Sequence, residues 1–100
     1  MEKEFDMLRQ RKAAVQDVQS RLFDAERAID DAISKVAELT RFMPIARQDA
    51  KLSAVFGQDA IDHAGKSITS LIAARAEITA THNRLAETRD QMGLREMAMG

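Results

Sequence analysis

Residues 8–43 read LRQRKAAVQDVQSRLFDAERAIDDAISKVAELTRFM, and within them Leu8, Val15, Leu22, Ile29, Val36 and Met43 recur every seventh residue. Val18, Ala25, Ala32 and Leu39 stand three positions after the first four of these heptad steps that carry an apolar partner. The run therefore presents the a and d positions of a coiled-coil seam on one long helix. Pro44 disfavours helical geometry at Met43 and has no N–H to donate, so the helix is predicted over 3–42.

Working outward, a second run repeats the pattern. Its d positions are Ala64, Leu71, Ile78, Leu85 and Met92, and its a positions are Ile61, Ile68, Arg75, His82 and Arg89. Asp59 as N-cap and Gly93 as the left-handed residue after the last turn bound this helix at 59–92. Between the runs, Ile45, Leu52, Val55 and Phe56 fall at helical spacing, which predicts a short amphipathic helix within 44–57, closed by Gly57. The residues 93–100 are expected to form a flexible tail.

Composition agrees with an all-α fold. The chain of 100 residues has room for one domain, lacks Trp and Tyr, and carries a single Pro. A net charge of −1 argues against a large electrostatic footprint for nucleic acid or anionic lipid, and no stretch reaches the ~18 apolar residues of a membrane span. With no Cys, neither a disulfide nor a thiolate metal site can form. No apolar leader follows Met1, which gives the expectation of a cytoplasmic protein or one held within a macromolecular particle.

Folding one run back on the other makes an antiparallel helical hairpin. Residues facing each other across such a seam have numbers with a constant sum, and pairs such as Val15 with Leu85, Leu22 with Ile78 and Leu39 with Ile61 all sum to 100. This register sets Ala25 against Arg75, Val18 against His82 and Arg11 against Arg89. Half-buried cations of this kind must snorkel to water or find carboxylates such as Glu26 or Asp90.

The seam is expected to draw on Leu22, Ile29, Ile33, Val36, Ile68, Leu71, Ile72 and Ile78. Its flanks are unusually small and uncharged on the second helix, where Ala60, Gly65, Ser67, Ala74 and Thr81 replace the usual Glu and Lys. Such a face is too wide for one partner helix. It implies a four-helix bundle by self-association, or packing into a larger assembly.

Chemistry is sparse. No second His and no inward carboxylate pair is spaced for a metal, no Ser or Thr has a His and an acid placed to activate it, and no cofactor loop is present. The reading is therefore a non-enzymatic interaction or assembly module, such as a structural subunit or small adaptor of a phage particle, a secretion apparatus or a motility apparatus. Its partners would be protein, with Leu52, Val55 and Phe56 at the tip as a second contact. One segment points elsewhere: His63-Ala64-Gly65-Lys66-Ser67 resembles the phospho-accepting segment of histidine phosphotransfer domains, in which Lys follows the His by three positions. The resemblance covers these residues alone and implies, as the alternative function, a signalling bundle that accepts phosphate on His63.

Overall fold

Long amphipathic runs with few breakers fold as helix, and the computed structural model, which describes residues 2–99, contains two: α1, Glu2–Asp49, and α2, Gln58–Gln91. No strand occurs among the described residues. The chain divides into two units, one formed by the described residues up to Arg27 with those from Glu77 onward, the other by residues 28–76. In each unit a stretch of α1 lies antiparallel to a stretch of α2.

Several boundaries differ from expectation. α1 does not stop at Phe42 but runs through Pro44 to Asp49. Proline removes one hydrogen bond, here to the carbonyl of Thr40, yet the turns on both sides keep theirs, and Met43, Pro44, Ala46 and Arg47 gain partial cover. The short helix expected within 44–57 is consequently absent as a separate element: residues 45–49 belong to α1 and residues 50–57 form turns.

Both helices end in the same hydrogen-bonded reversal. At the end of α1 Leu52 N–H donates to Arg47 O and Lys51 N–H to Gln48 O; at the end of α2 Leu94 N–H donates to Arg89 O and Gly93 N–H to Asp90 O. The reversal requires a left-handed residue, supplied by Lys51 (φ 58°) and by Gly93 (φ 77°). Gly57 is also left-handed at φ 72°, as its position suggested, but it leads into α2 instead of closing a tip helix, its carbonyl accepting from Ile61 N–H. That displaces Asp59 from the expected cap into the first turn of α2.

The register is one heptad away from the expected one. Within residues 28–76 Arg75 meets Asp30 and Arg47 meets Gln58, pairs whose numbers sum to 105; in the other unit His82 meets Glu26, summing to 108. The connection agrees, since Asp49 and Gln58 flank it and sum to 107. Extending α1 past Pro44 moved the reversal from near residue 50 to the middle of residues 50–57. A slide of seven residues leaves a and d positions opposite a and d positions, so the seam survives with new partners. Ala32 is now level with Arg75 and Ala25 with His82, replacing the expected Ala25 with Arg75 and Val18 with His82.

Buried residues are few. Among the described residues Val15, Leu22, Leu94 and Met99 form the buried cluster, with Ile78, Leu85, Ala86, Met92 and Met97 packed on it. The tail thus contributes half of the buried set and is seated instead of free; its final residue, Gly100, lies outside the described residues. In the 28–76 unit no residue is buried.

Candidate functional site

The residues expected at the seam are unevenly covered. Leu22 is buried, and Ile29, Ile33, Val36, Ile68, Leu71 and Ile78 are half-buried, whereas Ile72 stays 55% exposed. On α2 every a and d position from Ile61 to Met92 has at least partial cover. On α1 the a line is covered from Val15 to Met43 and the e line, Gln19, Glu26, Ile33, Thr40 and Arg47, is half-buried throughout, whereas the d line is broken, with Ala25, Ala32 and Ala46 half-buried but Val18 and Leu39 exposed. The helix is rotated towards its e side.

Polar pairing accounts for that rotation. His82 Nδ1 lies 3.1 Å from Glu26 Oε1, with about a fifth of each side chain accessible. Arg75 Nε donates to Asp30 Oδ1 at 2.9 Å. Turning α1 the other way would cover Val18 and Leu39 but withdraw Glu26, leaving a half-buried imidazole without its carboxylate, and an unmet polar group costs about 1–3 kcal/mol. Ala25 and Ala32, small residues level with His82 and Arg75, leave room for both. Arg89 is satisfied within its own unit by Asp90 and by the carbonyl of Met97. Glu26 and Asp90 are the carboxylates that the sequence singled out; Arg11 faces solvent and plays no part.

The rotation uncovers the opposite side of the 28–76 unit. Leu39 and Phe42 of α1 are 55% and 52% exposed, and on the same side α2 offers Ala60, Ser67 and Ala74, all accessible. Small residues there give a partner helix close access to the two large apolar side chains.

At the connection Arg47 acts as a clasp. Its Nη1 donates to Phe56 O at 3.4 Å and to Gln58 Oε1 at 3.1 Å, and Gln58 Nε2 in turn donates to Asp62 Oδ1. The cation also sits in the last turn of α1, where the helix dipole favours it. Held in this way, the turn keeps Leu52, Val55 and Phe56 outward, Val55 at 80% exposed. The tip residues are presented and do not fold back on the helices. Arg47 was not singled out by periodicity; its only signal in sequence is a cation one turn before a helix end, which becomes visible once α1 is known to pass Pro44.

His63 and Lys66 are both exposed on α2, and the Ser67 hydroxyl, one turn on, donates to the His63 backbone carbonyl at 3.0 Å. No group of three or more His, Cys, Asp or Glu suited to a metal ion occurs among the described residues, and no helix there is long and apolar enough to cross a membrane. No family model, curated protein or solved structure matches the chain.

Proposed function

We propose that the chain is a non-enzymatic assembly module that pairs with a second copy through the 28–76 unit, forming a four-helix bundle, and offers its tip to a further protein. The observation that carries this reading is the contrast within that unit: none of its residues is buried, yet Leu39 and Phe42 stand exposed on one side and Leu52, Val55 and Phe56 at the tip. Ordering a residue costs on the order of 1.5 kcal/mol, while each large apolar side chain returns about 1.5–3 kcal/mol only when fully covered. A helix pair with a half-covered seam falls short of that balance, and a second pair laid on the open side makes up the difference.

Charge favours a second copy as the occupant. Residues 28–76 contain six acidic and six basic residues, so the unit is neutral overall and two copies meet without net repulsion. A strongly charged partner would find no matching field. Such a pairing is isologous, each copy giving and receiving the same patch.

The test is the solution mass of the full chain by light scattering across a range of concentrations. The reading requires twice 11.1 kDa at the upper end, falling to 11.1 kDa in Phe42→Asp and Leu39→Asp without loss of helical signal. A cooperative, fully helical single chain at every concentration would remove the basis for self-association.

A further inference from the structure

The segment that follows α2 carries the deepest burial among the described residues. Among the described residues Met99 and Leu94 are 4% and 5% exposed, below every residue of either helix. Gly93 reverses the chain at the end of α2, and Arg89 Nη1 then donates to the Met97 carbonyl at 2.7 Å, a short charge-assisted bond that holds the returning segment. Arg95, Glu96 and Ala98 remain in solvent while Leu94, Met97 and Met99 turn inward. The tail is seated as a bound peptide would be, with two apolar anchors five residues apart and one backbone tether between them.

The seat is larger than its occupant. A largely apolar cavity of about 110 Å³ remains beside Met99, its lining including Val15, Val18, Leu85 and Met92 together with Thr88 and Arg89, with Val18 on its open rim. Methionine is unbranched and adapts to such irregular space. The attachment is also short, six residues beyond a glycine that can change its backbone angles at little cost.

We propose that this groove is a peptide-binding site, that the chain's own tail is its resident ligand, and that the tail of a second copy takes the same seat when copies are concentrated. A tail tethered by so short a link competes at an effective concentration in the millimolar range. Exchange therefore belongs to an assembly, where neighbouring tails reach similar local concentrations, and in dilute solution the resident keeps the site closed. This goes beyond pairing through the 28–76 unit and does not depend on it.

The experiment uses a fluorescent peptide of residues 93–100 and the full-length chain in three forms: unaltered, Leu94→Ser with Met99→Ser, and that double variant with Val18→Asp. Fluorescence anisotropy is expected to give binding at least ten-fold tighter to the double variant than to the unaltered chain, because the resident tail no longer competes. Val18→Asp, at an exposed rim position that tolerates charge, should return the affinity to the weak value. Labelled full-length Val18→Asp, whose tail is intact but whose own seat is spoiled, should bind the double variant as the peptide does. Equal affinity for the unaltered chain and the double variant, or indifference to Val18→Asp, would overturn the proposal. Should circular dichroism show that the double variant has lost helix, Met99→Ser alone, which keeps Leu94 seated, gives the same comparison. Pairing through the 28–76 unit would not discriminate between these forms, so its success or failure is read separately.

Discussion

The register can be decided by two pairs of cysteines introduced into a chain that has none of its own. With facing numbers summing to about 107, Val36 is level with Leu71, and both belong to the 28–76 unit. The register that sums to 100 would instead set Ile29 against Leu71. The two alternatives differ by seven residues, about 10 Å along α1 at ~1.5 Å per residue. A disulfide tolerates Cα atoms only about 4.4–6.8 Å apart, so one register permits one bridge and forbids the other. Val36→Cys with Leu71→Cys should close intramolecularly under mild oxidation at low protein concentration, seen as a reducible mobility shift and a loss of two mass units. Ile29→Cys with Leu71→Cys should stay reduced or join separate chains. Closing a loop of about 35 residues should stabilise the oxidised form by about 3–4 kcal/mol, a rise of ~10 °C or more in the thermal midpoint. If the 29/71 pair closes readily and the 36/71 pair does not, the register argued from the Arg75–Asp30 and Arg47–Gln58 contacts is wrong.

Three further outcomes follow from the same structure. Lys51→Gly should stabilise the chain and Gly93→Ala destabilise it, each by about 0.5–1 kcal/mol in denaturant unfolding: a left-handed L-residue costs roughly 1–2 kcal/mol, partly offset by the freedom of glycine in the unfolded chain. Nothing lies within 4 Å of a Cβ built at Gly93, so that loss would be purely one of backbone conformation. Leu22→Ala should cost about 2–3 kcal/mol, the lower part of the range for a buried leucine because a two-helix seam can close on the gap, whereas Val55→Ala should move stability by less than about 0.5 kcal/mol. A double-mutant cycle on Glu26 and His82, using Glu26→Gln and His82→Phe, should return a coupling of about 0.5–1.5 kcal/mol, larger than the coupling at the more exposed Asp30 and Arg75, which should fade in about 1 M salt.

The helices and the seam of α2 were legible in the sequence because both rest on periodicity, which is local. The a and d positions from Ile61 to Met92 are the covered ones, and Gly57 and Gly93 both have positive φ. The extent of α1 was misread because Pro44 is a strong local signal against helix, and the packing of Met43, Ala46 and Arg47 that outweighs it is tertiary. The tail was misread for a related reason. Leu94 follows Gly93 where a helix-ending reversal often places an apolar contact, but Met99 lies beyond any local rule, and its cover comes from Val15 and Leu22, far away in sequence.

The register failed for a different reason, one that no refinement of the pattern would repair. A heptad repeat fixes which face of each helix is turned inward but leaves the sliding of one helix along the other open in steps of seven, because every such step restores a opposite d. Only features that break the repeat can choose among the steps. Here two kinds do: the length of the connection, which depends on where α1 ends, and the polar residues in the seam, which need partners at particular heights. Arg75 and His82 sit at a positions where the register summing to 100 offers Ala25 and Val18; a slide of one heptad offers Ala32 and Ala25 instead, with Asp30 and Glu26 within reach. The residues that weaken the seam as a hydrophobic surface are therefore the ones that specify it. Their replacement by leucine should strengthen helix pairing while admitting both registers, so that the 29/71 cysteine pair begins to close alongside the 36/71 pair.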